Sequence, residues 1–296
     1  MKRALILSAL LISMCLQGCW TINPFKDVPN VTATPQETTI TDPPNVDPPL
    51  TPQYSYLSHL AQQYEEYLYL TKDSDPKYLY IINKIYNQFG KINSSYEPDN
   101  LVTLDVNVTR DGKSLMELDE RVAKALYAML AEMETAGIVD VRVTSGYRSY
   151  TKQSTLFNGY LEKEMSCISD EAIEYFGEAY IKENYTDQEL TQLTREDAER
   201  VANYYSARPG ESEHHTGLCF DLYSLTEKDF LSEDTAAYRW LEQNAHRFGF
   251  ILRYRKDKSD VTGYMYEPWH FRYVGRDAAT VMYEKNLTLE EFLGVI

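Results

Sequence analysis

The chain has 296 residues, which is enough for one or two domains with a sizeable hydrophobic core. Its formal net charge is −16 at pH 7, and hydrophobic residues make up 43% of it, an ordinary share for a globular protein. Phosphate binding requires a basic surface, so this acidic chain is not expected to bind nucleic acid.

The N-terminus carries the features of an export signal. A basic start precedes an apolar run over residues 4–16, which is too short to span a bilayer comfortably. The run ends in Leu-Gln-Gly-Cys19, which resembles a bacterial lipobox except for its glutamine. We therefore predict a signal peptide over residues 1–18 and lipidation at Cys19, which anchors an exported protein to the outer face of the cell membrane, facing the cell wall. A soluble secreted protein and an uncleaved N-terminal anchor are the alternatives.

A proline-rich segment separates this signal from the folded part. Residues 19–53 hold eight of the 12 prolines and few apolar side chains, so the segment is predicted to be an extended stalk that cannot fold alone. Tyrosines at helical spacing predict a helical preamble over residues 54–77. The folded domain is predicted over residues 78–296, and its first element is a strand at Tyr78–Ile82.

A helix and a strand are predicted next. Ser114-Leu-Met-Glu117 has the pattern of a capping box, and the helix that follows has one apolar face and ends at Gly137. Val139, Val141 and Val143 alternate with polar residues, as in a half-buried strand.

The rest of the chain mixes helices and strands. In chain order, the predicted elements are a mostly helical stretch over 151–207 with a capping box at Thr186, a strand over 216–225, a helix capped by Asp234 or Thr235 and closed by Gly249, a strand over 250–255, a polar turn over 257–263, a strand over 270–274 and a short C-terminal helix. Helices grouped on a mainly antiparallel sheet give an α+β fold.

Two short stretches concentrate metal-binding residue types. Ser212–Asp221 holds two adjacent histidines and an aspartate, and Glu267-Pro-Trp-His270 adds a histidine and a glutamate. Two imidazoles and one carboxylate leave a fourth position open, as in a catalytic zinc site, and the spare Glu267 suits a general base. Adjacent strand residues point in opposite directions, so only one of His214 and His215 can face the metal.

The spacing of His214 and Asp221 constrains the backbone between them. Their seven-residue separation spans about 23 Å when extended, at roughly 3.3 Å per residue. Ligands of one zinc ion lie within roughly 3–4 Å of each other. The chain must therefore double back, and Gly217 supplies a flexible point. On the strand that follows, Cys219 faces the same way as Asp221 and lines the floor beside the metal, where we expect a small buried side chain.

Other residues near these stretches have a structural interpretation. Pro268 biases Glu267 away from helix, so Glu267 is predicted on a bend beside His270, with Trp269 packing to the other side. Export permits a disulfide, but the two cysteines of the folded part, Cys167 and Cys219, do not make a framework.

Three motifs in order resemble a known family. They read SGYRSYTKQ at 145–153, SEHHTGLCFD at 212–221 and EPWHFRYVG at 267–275. In this order they are similar to the motifs of VanY-type D-alanyl-D-alanine carboxypeptidases, zinc peptidases of the group shared with lysostaphin and the hedgehog signalling domain. The resemblance extends over about residues 78–292 and implies the fold of that group, with the zinc site on the sheet.

The resemblance also assigns roles to residues of the motifs. It implies Zn²⁺ as cofactor, with His214, Asp221 and His270 as ligands. It further implies Glu267 as catalytic base, Arg148 as the group that polarises the scissile carbonyl, and Gln153 and Ser212 as substrate contacts. The family usually has alanine at the position of Cys219.

The implied function is removal of the C-terminal D-alanine from peptidoglycan stem peptides. An L,D-carboxypeptidase acting on tetrapeptide stems and an endopeptidase cutting cross-links use the same metal chemistry, so both remain alternatives. A non-catalytic wall-binding module that keeps zinc is a further alternative, but it predicts loss of Glu267 or Arg148, and both are present.

Overall fold

A computed structural model describes residues 76–84, 92–186 and 192–295. The signal peptide, Cys19, the stalk, nearly all of the helical preamble and most of the capping box at Thr186 lie outside the described residues. The predicted domain boundaries therefore stay predictions. Within the described part of the chain, every helix is too short or too polar to cross a membrane.

The first described elements differ from the predicted strand and capping box. Residues Pro76–Leu79 form a 3-10 helix instead of a strand. The Arg272 guanidinium donates to the carbonyls of Tyr78 and Tyr80 at 3.0 and 2.7 Å, so a side chain satisfies groups that a strand partner would otherwise bind.

The predicted helix start at Ser114 is also wrong. Strands β1 (Leu101–Thr103) and β2 (Glu117–Asp119) pair, and helix α1 (Glu120–Thr135) follows directly. Asp119 caps α1 by accepting from the backbone of Arg121, whereas the Ser114 hydroxyl donates to Asp111 at 2.6 Å. The local turn at Asp111 therefore uses the side chain that the capping box required.

The central sheet has five antiparallel strands. In chain order they are β3 (Val141–Ser145), β4 (Cys219–Ser224), β5 (Asp229–Phe230), β6 (Phe250–Leu252) and β7 (His270–Tyr273). The spatial order is β3-β4-β7-β6, and β5 pairs with β4. The four strands predicted after α1 are thus confirmed, with different bounds, and β6 pairs antiparallel with β7.

Helices surround this sheet. After α1 they are α2 (Tyr150–Ser166), α3 (Asp170–Phe176), α4 (Glu178–Ile181) continued by a π-helical turn (Lys182–Thr186), α5 (Arg195–Tyr205), α6 (Ala236–Asn244), α7 (Ser259–Thr262), α8 (Arg276–Lys285) and α9 (Leu289–Leu293). Thr235 rather than Asp234 caps α6. The short α7 occupies the predicted polar turn.

Two buried clusters show how the layers pack. The apolar face of α1 and the inner side chains of β3, β4, β6 and β7 form the main core. Helices α2 to α5 bury a separate cluster around Leu161, Ala198 and Val201. The predicted α+β class with a mainly antiparallel sheet is therefore confirmed. Helix α1 covers one face of the sheet, and the candidate metal-binding side chains of β4 and β7 lie on the other.

Candidate metal centre

Strands β4 and β7 bring Asp221 and His270 together. Their backbones pair so that Asp221 lies directly across from His270, and Cys219 across from Arg272. Directly opposed residues of an antiparallel pair share a face. The Asp221 Oδ1 and His270 Nδ1 atoms are 3.0 Å apart.

A sharp turn brings His214 back to the same place. Residues Glu213–Thr216 form a 3-10 turn that ends at Gly217, whose φ is +69°. A Cβ at Gly217 would also lie 3.1 Å from the backbone nitrogen of Asp119, so both the left-handed φ and the space favour glycine. His214 Nε2 then lies 3.3 Å from Asp221 Oδ2. The predicted reversal near Gly217 is confirmed.

The SGYR loop fixes the ring of His214. His214 Nδ1 lies 2.7 Å from the Gly146 carbonyl, and the Arg148 backbone N–H donates to the His214 carbonyl at 3.0 Å. A Cβ on Gly146 would come within 2.6 Å of the Glu117 carbonyl, so the loop can approach this closely only with glycine. The Nε2 atom of His214 is buried and has no hydrogen-bond partner among the described residues. It therefore points its lone pair at the space beside Asp221.

His215 faces away and braces two loops. Its Nε2 accepts from the backbone N–H of Gly210 at 3.0 Å, and its Nδ1 lies 2.7 Å from the Arg148 carbonyl. Both ring nitrogens are thus used by backbone groups. The structure brings His214, and not its neighbour, to Asp221 and His270. His246 stacks on Tyr283, away from this cluster, and His59 lies outside the described residues.

The donor atoms around Asp221 have the spacing of ligands to one ion. Asp221 Oδ2 lies 3.3 Å from His214 Nε2 and Asp221 Oδ1 lies 3.0 Å from His270 Nδ1, both within the roughly 3–4 Å expected between ligands of a zinc ion. Although burial raises the pKa of Asp221, the two imidazoles hold it well below its usual range. Two imidazole nitrogens and a carboxylate oxygen are thus available for a divalent cation.

Glu267 lies beside this cluster, slightly farther from His270 than Asp221 is. Its carbonyl accepts from the His270 backbone N–H at 3.1 Å, which closes a turn containing Pro268, as predicted. The Glu267 Oε2 atom is 3.6 Å from His270 Nδ1. Burial raises the pKa of Glu267 to about 7. A carboxyl group with a pKa near neutrality is suited to accept and return a proton.

Arg148 reaches the centre from the end of the SGYR loop. Its Nη2 is 3.7 Å from Asp221 Oδ2, and its Nη1 donates to Gln153 Oε1 at 2.7 Å. Gln153 is fully buried and donates to the Ala207 carbonyl at 2.7 Å, so it holds Arg148 in place. Ser212 is also buried, at the start of the turn that carries His214.

The sequence did not indicate the ionic network behind His270. Glu213 Oε1 accepts from Arg253 Nε and from Arg272 Nη1, both at 2.8 Å, and its Oε2 lies 3.5 Å from His270 Nε2. Arg253 also forms a bidentate pair with Glu290 at 2.6 and 2.9 Å. These four charged side chains are all buried. The presence of Arg253 and Arg272 within two predicted strands could have indicated buried carboxylate partners.

Glu213 therefore orients His270 from behind. Burial alone would raise the pKa of Glu213, but Arg253 and Arg272 hold it well below its usual range. An ionised carboxylate near Nε2 favours the His270 tautomer that leaves Nδ1 free to bind a metal.

Cys219 completes the floor of the centre. It is a buried free thiol among the described residues, so no disulfide joins it to Cys167. Its Sγ and one ring nitrogen each of His214 and His270 lie within 4.8 Å of one another. The prediction that Cys219 faces the same way as Asp221 is confirmed, and it lies beside the two imidazoles.

Comparison with known families agrees with this geometry. Residues 115–276, more than half of the chain, match the family model VanY, D-alanyl-D-alanine carboxypeptidase. The chain belongs to the VanY family. The matched range contains Arg148, His214, Asp221, Glu267 and His270.

Two curated relatives are similar to more than half of the chain. YodJ of Bacillus subtilis (strain 168), provisionally named a carboxypeptidase, is 34% identical over 72% of this chain and 66% of its own length. A D-alanyl-D-alanine carboxypeptidase of Enterococcus faecalis is 34% identical over 60% of this chain and 55% of its own. The alignments thus span slightly less than two thirds of the first relative and about half of the second.

Two structural neighbours have the same fold. The LdcB LD-carboxypeptidase is 33% identical, with a TM-score of 0.56 over 75% of this chain and 88% of its own. A Zn(II) complex of the D,D-pentapeptidase VanY from a VanB-type resistance cassette is 31% identical, with a TM-score of 0.54 over 73% of this chain and 99% of its own.

Proposed function

We propose that this protein is a zinc-dependent carboxypeptidase that removes the C-terminal D-alanine from peptidoglycan stem peptides. The observation that carries the proposal is the convergence of His214 and His270 on Asp221, whose two oxygens lie 3.3 and 3.0 Å from their ring nitrogens, next to a buried Glu267. The names of VanY-family relatives support the reaction, and the Zn(II) complex of a VanY enzyme supports the metal.

The residues present fit a zinc ion. His214 Nε2, Asp221 and His270 Nδ1 would hold it, because His214 Nε2 is a buried nitrogen without a hydrogen-bond partner among the described residues. The Gly146 carbonyl lies 2.7 Å from His214 Nδ1, and Glu213 Oε2 lies 3.5 Å from His270 Nε2, on the far side of each ring. When bound, zinc acts as a Lewis acid that lowers the pKa of water and polarises a carbonyl group.

Glu267 moves the protons of the hydrolysis. In its ionised form it accepts a proton from the attacking water. It then donates that proton to the nitrogen of the departing D-alanine, so the peptide C–N bond breaks to give a carboxylate and a free amine. The turn closed by the bond from the His270 N–H to the Glu267 carbonyl keeps this carboxyl beside the centre.

Arg148 stabilises negative charge on the scissile carbonyl. Its guanidinium is held by Gln153, which is itself anchored on the Ala207 carbonyl, so little reorganisation is needed as charge develops. Loss of one such preorganised donor costs about 10²–10³ in kcat. Ser212 is proposed to contact the substrate from the start of the His214 turn.

An L,D-carboxypeptidase acting on tetrapeptide stems is the second candidate. Similarity to the LdcB LD-carboxypeptidase, with a TM-score of 0.56, favours it. The two reactions share every residue described above, so the shape of the substrate pocket has to separate them.

The test is release of D-alanine by the purified chain from pentapeptide and tetrapeptide stems assayed in parallel. The proposal expects release from the pentapeptide, loss of that activity after chelation, and its return with Zn²⁺. Glu267→Gln should lower kcat by about 10²–10⁴ while still binding one zinc ion. Activity that survives complete metal removal, or that persists in Glu267→Gln, contradicts the mechanism. Release from the tetrapeptide alone selects the L,D reaction.

The same stem peptides distinguish the remaining alternatives. A cross-link endopeptidase would shorten dimeric muropeptides without releasing free D-alanine. A non-catalytic wall-binding module would bind stems and release nothing.

We also propose that the protein is exported and lipid-anchored through Cys19, so that its active domain faces the cell wall. The basic start, the apolar run and the lipobox-like end of residues 1–19 support this. Cys19→Ser should move the protein from the membrane fraction to the soluble fraction. An unchanged partition would contradict lipidation at Cys19.

A further inference from the structure

Cys219 is the residue of the metal centre to which the proposed function gives no role. Its side chain is fully buried, and its thiol is free. Strand β4 places it on the same face as Asp221, two residues earlier. The family resemblance implies alanine at this position, and an alanine side chain cannot bind a metal. The simplest interpretation is that Cys219 only fills space.

The geometry goes further than space filling. The Sγ of Cys219 and one ring nitrogen each of His214 and His270 lie within 4.8 Å of one another. In a tetrahedral zinc site with Zn–S of about 2.3 Å and Zn–N of about 2.0–2.1 Å, sulfur and nitrogen lie roughly 3.5 Å apart. The atoms would have to approach one another by at most about 1.3 Å to reach that spacing.

An independent observation indicates that this space takes a cation. His214 is 2% exposed, and its Nδ1 lies 2.7 Å from the Gly146 carbonyl. Its Nε2 atom is buried and has no hydrogen-bond partner among the described residues. A buried imidazole nitrogen oriented in this way needs a proton or a metal ion as its partner. On strand β4, which this nitrogen faces, Cys219 and Asp221 are the two residues whose side chains can bind a metal ion as anions.

We propose that Cys219 binds the metal ion through Sγ, together with His214, Asp221 and His270. The inference rests on the metal binding of the proposed function. On binding, the Cys219 thiol loses its proton to solvent and its sulfur forms the metal–thiolate bond. The centre of this protein is then a mixed nitrogen, oxygen and sulfur site.

Four protein ligands change what the centre does at rest. Structural zinc sites are closed by four protein ligands, whereas catalytic sites keep one position for water or substrate. Cys219 would therefore occupy the open position until substrate displaces it. A thiolate ligand also raises the affinity for thiophilic ions such as Cd²⁺ relative to Mn²⁺.

The test uses Co²⁺ in place of Zn²⁺ in the full-length chain, with Cys219→Ala as the matched variant. Visible d–d bands report that cobalt is bound, and a near-ultraviolet sulfur-to-cobalt charge-transfer band reports a thiolate ligand. We expect both signals in the wild type and the d–d bands alone in Cys219→Ala. The other cysteines remain in both proteins and serve as the internal control.

X-ray absorption at the zinc edge provides the second measurement. The wild type should show a sulfur neighbour at about 2.3 Å in addition to nitrogen and oxygen at about 2.0–2.2 Å, and Cys219→Ala should lack the sulfur. Cys219→Ser, which keeps the size of the side chain, should also lack it. We expect the zinc Kd of Cys219→Ala to rise at least about tenfold. Loss of a residue that only supports a metal ligand already costs about that much, and loss of a ligand should not cost less.

The outcomes separate this inference from the proposed function. Cobalt bound with d–d bands but no charge-transfer band in the wild type overturns the role of Cys219 and leaves the metal site intact. A charge-transfer band that persists in Cys219→Ala also overturns it, since another thiol is then the ligand. Failure of both proteins to bind one equivalent of cobalt or zinc overturns the metal site itself.

Discussion

Strands β4 and β7 have two faces that are equally buried and chemically opposite. On one face, toward α1, are Phe220, Leu222, Phe271 and Tyr273. On the other are Cys219, Asp221, His270 and Arg272. Alternation in an antiparallel sheet usually separates a core face from a solvated face. Here every residue of both strands is buried, so alternation separates an apolar core from a polar one.

The two faces contribute to stability in different ways. Burial of a large apolar side chain stabilises the fold by about 1.5–3 kcal/mol. Burial of a charge is costly unless the charge is paired and hydrogen-bonded. Glu213 and Glu290 meet this requirement for Arg272 and Arg253. The polar face therefore costs stability that a second apolar face would not, which is consistent with its retention for chemistry.

Removal of Glu213 should have the largest effect, because it damages both stability and the centre. Glu213→Ala leaves the buried Arg272 without a carboxylate and should cost about 3–5 kcal/mol of unfolding free energy. It also removes the carboxylate behind His270, so zinc affinity should fall by about 10–100-fold. Denaturant unfolding and zinc competition titrations measure the two effects.

Glu290→Ala is the matched control for that prediction. Glu290 pairs with Arg253 in the same network, but the network contact to His270 is made by Glu213. Glu290→Ala should therefore destabilise the fold by a similar amount while the folded protein keeps its zinc affinity. Equal zinc affinities for both variants would contradict the orienting role of Glu213.

The pKa of Glu213 predicts how this stabilisation depends on pH. Because Arg253 and Arg272 hold the pKa of Glu213 below the unfolded value of about 4.3, its stabilisation is fully present above that pH. It is lost as pH falls toward the lower folded pKa. In metal-free protein, the stability difference between wild type and Glu213→Gln should be constant from pH 7 to about 5 and should shrink below about 4. A constant difference down to pH 3 would contradict the pairing.

On the apolar face, Phe271→Ala should reduce stability without altering the metal chemistry. Phe271 is 1% exposed, and truncation of a buried phenylalanine costs about 3–5 kcal/mol. Phe230→Ala on β5, where the side chain is 38% exposed, is the control and should cost much less. Zinc titration of folded Phe271→Ala should match that of the wild type. A weakened zinc site would show that the two faces are coupled.

Parts of the metal centre could be predicted from the sequence because the number of residues between two ligands restricts the path of the backbone. The separation of His214 and Asp221 required a reversal, which Gly217 provides, and alternation placed Cys219 beside Asp221. Spacing alone left His214 and His215 equivalent, and the family resemblance favoured the former. The contact between His215 Nδ1 and the Arg148 carbonyl joins residues 67 positions apart, which no local pattern indicates, while the Gly210 N–H that occupies Nε2 is five residues away.

The remaining features depend on long-range partners. Glu213 is held by arginines 40 and 59 residues away, which no local pattern indicates. The strand predicted at Tyr78–Ile82 fails for the same reason, since Arg272 binds its carbonyls. At Ser114 a nearby competitor, Asp111, takes the hydroxyl that the capping box needed. Local patterns thus placed most of the elements, while tertiary contacts and, at Ser114, a local competitor decided where they begin.

Arg148→Ala should lower catalysis more than stability. Its Nη2 is 3.7 Å from Asp221, too far for a hydrogen bond, so the pairing contributes little to folding. Loss of the cation at the scissile carbonyl should lower kcat by about 10²–10³ with zinc content unchanged. Lys152→Ala, an exposed change on α2, is the control and should have normal kcat. A normal kcat in Arg148→Ala would exclude Arg148 from charge stabilisation.

The smallest effect is expected at Gln153, because it acts on the centre only through Arg148. Gln153→Ala removes the acceptor of the Arg148 Nη1 hydrogen bond and leaves the Ala207 carbonyl without that donor, which should cost about 1–3 kcal/mol of stability. If Gln153 only positions Arg148, kcat should fall by less than in Arg148→Ala, and the double variant should be no worse than Arg148→Ala alone. If Gln153 instead contacts substrate directly, as the resemblance implies, KM should be higher in Gln153→Ala than in the wild type. KM should then also be higher in the double variant than in Arg148→Ala alone. Steady-state kinetics of the three proteins distinguish the two roles, with Thr155→Ala, an exposed position on the same helix, as the control.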